Sequence, residues 1–216
     1  LLFINKMDRE RADFASAIES VRKIIGKKAT PLFIPIGAED KFKGVIDLMQ
    51  MKALSFDEAK GKVKAGDIPA EMADEARKHR EAMTEDIAEC DETLMDKYLE
   101  SGELSAEDLK AGLRKGVVSG SLFPVACGVA VRNIGILPLM DLIVAAAPSP
   151  LDRGDAKGRN PATGAEETRS PDEKAPFSAF VFKTISDPFA GRLTLFRVYS
   201  GTAGSDGTFY NPARKS

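Results

Sequence analysis

The sequence is poor in the side chains that usually build metal centres. Among its 216 residues it has one histidine, His79, and two cysteines, Cys90 and Cys127, which are far apart in the chain. Structural zinc sites need closely spaced pairs of such ligands. The sequence therefore predicts no metal site of its own, and so few cysteines favour a reducing, cytoplasmic compartment.

Long apolar runs and an excess of charge of either sign are also missing. No stretch of 18 apolar residues occurs, so the sequence predicts no membrane-spanning helix. Thirty-one basic residues face 33 acidic ones, which excludes the general positive field of a DNA-binding protein. Any contact with nucleic acid must be local. The 43% of hydrophobic residues are enough for a folded core.

The beginning of the sequence has the pattern of an α/β protein. Residues 1–4 are apolar, as in a buried parallel strand, and are followed by a polar loop. Phe14, Ile18, Val21 and Ile25 then recur at helical spacing. The first residue is not methionine, and we interpret the sequence as a piece of a longer protein that starts inside a strand.

The rest of the chain divides into three further parts. Residues of about 30–115 combine strand patterns at 31–35 and 44–51 with helical patterns, and we interpret them as an α+β insert in a larger domain of 1–150. The helical pattern predicts a break around Cys90-Asp91, and Ser105 with Asp108 resembles a capping box for a further helix. Residues 151–175 contain few large apolar side chains and are predicted to be a linker. Residues 176–216 show strands and turns without a helical pattern, which predicts part of an antiparallel β-barrel or sandwich.

The loop after the first strand contains the candidate chemistry, Asn5-Lys6-Met7-Asp8. A carboxylate can accept hydrogen bonds from both the ring N–H and the exocyclic amine of guanine, a donor pair that adenine lacks. Asp8 is thus a candidate for reading the base, Asn5 for bracing the loop and reaching the purine, and Lys6 for covering the base plane. By spacing alone, a charged surface turn explains these residues equally well. Their place between a strand and a helix favours a ligand loop.

Several runs of the sequence resemble elongation factor G, a bacterial translational GTPase. They are FINKMDR at 3–9, PIGAEDKFKGVID at 35–47, PFSA at 176–179 and DPFAGRL at 187–193. The resemblance implies the C-terminal part of a P-loop GTPase domain with an insert, followed by a translation-factor β-barrel. It implies GTP or GDP as ligand, with Mg²⁺ held by parts of the parent outside this sequence, and the ribosome as partner.

The function implied is GTP-driven translocation of tRNA and mRNA during elongation. A related recycling or ribosomal-protection GTPase and a non-catalytic ribosome-binding module are the alternatives. The sequence contains no Gly-x-x-x-x-Gly-Lys-Ser/Thr phosphate loop. These 216 residues alone are therefore expected to be inactive, although the parent is expected to be a GTPase.

One loop departs from the pattern of the family that the sequence resembles. Where that family has a Ser-Ala pair that supports the guanine site, this sequence has Val129 and Ala130. The backbone N–H of Ala130 could still donate to the guanine carbonyl, but Val129 has no hydroxyl to support Asp8. We therefore expect weaker bracing of this loop.

An acidic stretch offers a candidate protein contact. Glu81, Glu85, Asp86 and Glu89 lie in a predicted helix, and a solvated helix face is the simplest interpretation of such a run. The resemblance implies a second interpretation, in which these residues contact the ribosomal stalk protein. Contact of the barrel with ribosomal RNA is implied in the same way.

Overall fold

The structure is a computed structural model that describes residues 1–25, 28–57, 62–160 and 162–212. The chain forms two compact units, Leu1–Ala147 and Pro148–Ser216. Each unit is described separately below.

A three-stranded parallel sheet lies at the base of the first unit. It contains β1 (Leu2–Ile4), β2 (Lys28–Pro31) and β7 (Leu122–Cys127) in the order β1-β7-β2. Helix α1 (Phe14–Ile25) follows β1 and buries Ile18 with residues of the sheet. The predicted strand and amphipathic helix at the start of the chain are thus confirmed.

The elements between β2 and β7 begin with an antiparallel sheet. It comprises β3 (Phe33–Ile36), β4 (Gly44–Asp47), β5 (Lys52–Asp57) and β6 (Lys62–Gly66) in sequential order. The strand predicted at 44–51 is shorter than expected. It ends at Asp47 because that side chain accepts hydrogen bonds from the N–H groups of Met49 and Gln50, at 2.8 and 3.0 Å, and thereby turns the chain.

Three helices complete this segment. They are α2 (Ala73–Ala88), α3 (Glu92–Ser101) and α4 (Ala106–Ser119). The break predicted at 90–91 is confirmed, because Asp91 caps α3 by accepting from the N–H of Leu94. Ser105 caps α4 as predicted, accepting from the N–H of Asp108 at 3.1 Å. We call the elements between β2 and β7, which run from Phe33 to Ser119, the added segment. The insert was predicted over 30–115. The segment starts later because residues 28–31 belong to the parallel sheet.

Most of the buried side chains of the first unit form one hydrophobic cluster. This cluster joins the antiparallel sheet, the three helices and the ends of β7 and α5 (Ile136–Ala146). Its largest fully buried members include Met7, Ile46, Met83, Leu109 and Val129. The added segment therefore shares this core with β7, whereas Ala29 and Val125 of the parallel sheet form a smaller cluster with Ile18 of α1.

The second unit contains two antiparallel hairpins. One pairs β10 (Ser178–Asp187) with β11 (Gly191–Ser200), and Asp187 caps their turn by accepting from the N–H groups of Phe189 and Ala190. The other pairs β8 (Ala156–Arg159) with β9 (Glu166–Arg169). This second hairpin lies within 151–175, where the sequence predicted a linker and no strands. Backbone pairing needs no large apolar side chains, and composition therefore did not reveal it.

No helix in the part of the chain that the structure describes is long and apolar enough to cross a membrane.

The turn after β4 leads to a prediction about stability. Asp47 is 5% exposed, and Arg80 donates from Nη1 to the carbonyl oxygens of Leu48 and Met49 at 2.5 and 2.9 Å. Asp47→Ala should lower the free energy of unfolding by about 1–3 kcal/mol, because the N–H groups of Met49 and Gln50 lose their acceptor. Asp47→Asn keeps an acceptor oxygen and should stay within about 1 kcal/mol of the wild type. Urea unfolding followed by circular dichroism measures both, and equal losses would contradict this account.

The same side chain should make stability depend on pH. Burial raises the pKa of Asp47, against the opposing effects of its two backbone donors and of Arg80. A raised pKa means that the folded state holds the proton more tightly than the unfolded state does. The contribution of Asp47 to stability should therefore fall as pH rises from the ordinary carboxyl pKa through the raised one. Asp47→Asn should remove this part of the pH dependence.

Candidate functional site

Asn5 connects the two loops that leave β1 and β7. Its side-chain oxygen, Oδ1, accepts a hydrogen bond from the N–H of Lys6 at 2.8 Å and another from the N–H of Ala130 at 2.9 Å. The first bond shapes the loop that contains the candidate motif, and the second ties that loop to residues 125 positions away. One carboxamide thus holds together two loops that sequence analysis selected separately.

Backbone hydrogen bonds join the same two loops just below Asn5. The N–H of Gly128 donates to Ile4 at 3.0 Å, and the N–H of Met7 donates to Gly128 at 3.2 Å. Because β1 and β7 are neighbouring parallel strands, their loops emerge at the same carboxyl edge of the sheet. Ligands of open α/β sheets bind at this edge.

The loop after β7 is held by packing and by backbone hydrogen bonds of Val129. The Val129 side chain is only 1% exposed and belongs to the main hydrophobic cluster. Its N–H donates to Ile134 at 2.9 Å and its carbonyl accepts from Ile134 at 3.1 Å. Gly135 allows the close approach, since a β-carbon there would lie 2.4 Å from the carbonyl oxygen of Cys127. Packing and backbone pairing therefore hold this loop without a serine hydroxyl.

Asp8 has an ionic neighbour that the sequence did not reveal. Its Oδ2 lies 3.8 Å from Nη1 of Arg132, which ends the short 3₁₀ turn Ala130–Arg132. The Asp8 side chain is 22% exposed, so it remains partly open to solvent. Arg132 is only three residues after Val129 in the sequence. Its place in the same loop is the one signal that could have pointed to it.

The remaining motif residues differ in how they are placed. The side chain of Met7 is fully buried, whereas Lys6 is exposed. The N–H of Ala130, which we expected to be available to a guanine carbonyl, donates to Asn5 instead. Asn5, Asp8, Val129 and Ala130 are brought together, and Lys6 stands at the solvent side of the group.

Unusual backbone angles are concentrated around these loops. Five non-glycine residues in the described chain have a positive φ, and four of them lie in this region. They are Lys6, Arg11, Glu39 and Asn133, with φ between 55° and 63°. A left-handed conformation costs an L-residue roughly 1–2 kcal/mol, and such strain tends to persist where function requires a particular loop shape.

The four acidic residues selected in α2 and at its C-terminal end do not form one open face. Glu81 and Glu85 are exposed. Asp86 and Glu89 instead form an ion pair with Lys28, and Thr30 donates from Oγ1 to Asp86 at 2.7 Å. Half of the predicted acidic surface is therefore used within the fold.

The two cysteines contribute to packing. Among the described residues, no group of three His, Cys, Asp or Glu side chains could hold a metal ion. Cys127 is buried, and burial raises the pKa of its thiol. A thiol with a raised pKa is a poor nucleophile and a poor metal ligand.

Comparison with known proteins identifies the origin of this arrangement. No protein-family profile matches the chain. Elongation factor G from Aquifex pyrophilus is 44% identical over 216 residues, which cover 99% of this chain. The chain is similar to elongation factor G over nearly its whole length. It spans 31% of the length of that relative. The resemblance seen in the sequence is thereby confirmed.

A solved structure resembles the fold of this chain. A crystal structure of a protein from Thermus thermophilus is 31% identical to the chain and superposes with a TM-score of 0.72. The match covers 93% of this chain and 27% of the Thermus chain. The mixed arrangement of helices and sheets in this chain therefore recurs in an experimentally determined structure.

The bond between Asn5 and Ala130 leads to a prediction about amide exchange. Asn5→Ala removes the acceptor of two N–H groups, and hydrogen exchange at the Ala130 amide should speed up about fivefold, since one net hydrogen bond is worth about 1 kcal/mol. Asn5→Asp retains an acceptor oxygen and should leave this exchange rate close to that of the wild type. Amide exchange followed by NMR measures both variants. An unchanged rate in Asn5→Ala would show that the bond does not hold the loops together.

Proposed function

We propose that this chain is the guanine-reading part of a translational GTPase that acts in elongation of protein synthesis. Its 44% identity to elongation factor G supports this function. The single observation that carries the proposal is the position of Asp8. It follows a parallel strand, at the sheet edge where such folds bind ligands, in a loop fixed by Asn5.

In the proposed site, Asp8 accepts hydrogen bonds from the ring N–H and the exocyclic amine of guanine. The aliphatic part of Lys6 covers one side of the base, and Asn5 keeps the loop in shape. Arg132 lies close enough to Asp8 to attract its carboxylate. Guanine therefore either displaces Arg132 from the Asp8 carboxylate or binds that carboxylate while Arg132 stays beside it. Val129 supports the site through packing and Ala130 through its bond to Asn5.

The ligand that we propose is GTP or GDP, of which this chain holds the base. The phosphates and Mg²⁺ are assigned to other parts of the longer protein, because the sequence here has no phosphate loop. The chemistry supplied by Mg²⁺ is neutralisation of charge on the transferring phosphoryl group. We accordingly propose that the 216 residues alone do not hydrolyse GTP.

The first unit is proposed to be the C-terminal part of a P-loop GTPase domain with the elements 33–119 inserted, and the second unit the start of a translation-factor β-barrel. The proposed partner is the ribosome, including its RNA, and the proposed location is the cytoplasm. Similarity to elongation factor G favours translocation of tRNA and mRNA over recycling, ribosomal protection or a non-catalytic binding role.

A contact between α2 and the ribosomal stalk protein is proposed in a narrower form than the sequence suggested. Glu81 and Glu85 are four residues apart and exposed, so they present two charges on one side of the helix. Asp86 and Glu89 are engaged with Lys28 and would offer less charge to a partner. Glu81 and Glu85 are therefore the preferred candidates for this contact.

Base specificity tests the proposed function most simply. Asp8→Asn replaces one acceptor oxygen by an NH₂ donor, which suits the C2 carbonyl of xanthine and not the C2 amine of guanine. In the complete protein, GDP affinity should fall about 100-fold and affinity for xanthosine diphosphate should rise, as expected when a buried polar group loses its partner. Equilibrium binding of both nucleotides measures this change.

Asp40→Asn is the matched control, because Asp40 is an exposed acid in a neighbouring loop. It should leave both affinities unchanged. If Asp8→Asn also leaves the ratio of the two affinities unchanged, Asp8 does not read the base.

A further inference from the structure

A third loop contacts the loop that contains Asp8. The N–H of Glu39 donates to the carbonyl oxygen of Met7 at 3.1 Å, and one carboxylate oxygen of Glu39 accepts from the N–H of Arg11 at 2.7 Å. Glu39 lies in the turn between β3 and β4, and thus in the added segment 33–119. The two bonds attach this segment to the loop of the proposed guanine site.

These bonds hold the peptide groups on both sides of Met7. Its N–H donates to Gly128 at 3.2 Å and its carbonyl accepts from Glu39. Asp8 is the next residue, so the direction in which its side chain leaves the backbone depends on how the Met7 peptide is oriented. A second anchor follows Asp8 at Arg11. The base-reading residue is therefore held between two contacts to Glu39.

The loop needs such anchors because its own backbone is strained. Lys6 and Arg11 flank Asp8 and both have left-handed backbone angles, with φ of 62° and 63°. Non-glycine residues adopt this conformation only when surrounding structure imposes it. Glu39 is itself left-handed, with φ of 55°. The strained residues thus lie on both sides of the same contact.

The carboxylate of Glu39 is not needed to close its own turn. Backbone bonds already do so, from Lys41 N–H to Ala38, from Phe42 N–H to Glu39 and from Lys43 N–H to Ile36. The side chain instead reaches Arg11, 28 residues earlier in the chain. This observation separates a role in shaping the motif loop from a role in shaping the β3–β4 turn.

We propose that Glu39 is a positioning residue for guanine recognition, through which the added segment sets the loop that presents Asp8. The inference rests on the proposed function and extends it, because it assigns to the insert a role in binding the base. It also implies that nucleotide binding and the state of the β3–β4 turn are coupled, since each favours one loop arrangement.

Three variants of the complete protein test the proposal. Glu39→Ala removes the acceptor for Arg11 and should weaken GDP binding about tenfold, mainly through faster dissociation. Glu39→Gln retains an acceptor oxygen and should bind GDP within about twofold of the wild type. Asp40→Ala removes the neighbouring exposed charge and should have no effect. Equilibrium binding and stopped-flow dissociation of GDP provide the measurements.

A second measurement on the 216-residue chain reports on the contact itself. Amide exchange at Arg11 should accelerate in Glu39→Ala, and return towards the wild-type rate in Glu39→Gln. If Glu39→Ala and Asp40→Ala both bind GDP with the affinity of the wild type, the positioning role alone is overturned. This holds even if Glu39→Ala melts at a lower temperature. Absence of GDP binding by the complete wild-type protein would instead overturn the proposed function, and the positioning role with it.

Discussion

The candidate site depends on one acceptor atom, the side-chain oxygen of Asn5. It receives the N–H of Lys6 from its own loop and the N–H of Ala130 from the loop after β7. The sheet brings the ends of these strands together, but a strand pair alone does not fix the loops beyond it. The carboxamide does so together with the backbone bond from Met7 to Gly128, and these contacts set the position of Asp8 relative to Val129 and Ala130.

The loop after β7 shows how a supporting interaction can be replaced by one of a different kind. A valine at position 129 loses the hydroxyl that the resemblance to elongation factor G led us to expect. It gains burial in the core, and Ile134 pairs with its backbone in both directions. Apolar packing is not directional, and the backbone bonds supply the geometry that packing lacks. The loop is therefore held by burial of Val129 and by its backbone bonds to Ile134.

Much of the fold could be predicted from local patterns. Helical spacing identified α1, and the residues Asp91 and Ser105 marked the starts of α3 and α4 because caps act within three residues. The hairpin of β8 and β9 was missed, since its strands are polar and are held by backbone pairing. The early end of β4 was missed because Asp47 bonds to its own following turn, which an apolar pattern cannot show.

The candidate site could be predicted in its residue types but not in its connections. The motif indicated Asn5, Lys6 and Asp8 because their chemistry is local. Glu39 and Arg132 escaped notice because each is defined by a partner distant in sequence, Arg11 for one and Asp8 for the other. A single sequence does not show which loops meet. The positive φ values collected around them are likewise visible only in three dimensions.

A crystal structure of the complete protein with GDP would test the central claim most directly, namely that these loops form one preassembled base-reading site. Both carboxylate oxygens of Asp8 should lie within hydrogen-bond distance of the guanine ring N–H and amine. The N–H of Ala130 should still donate to Asn5. Guanine bound away from Asp8, or loops separated by loss of the bond between Asn5 and Ala130, would contradict it.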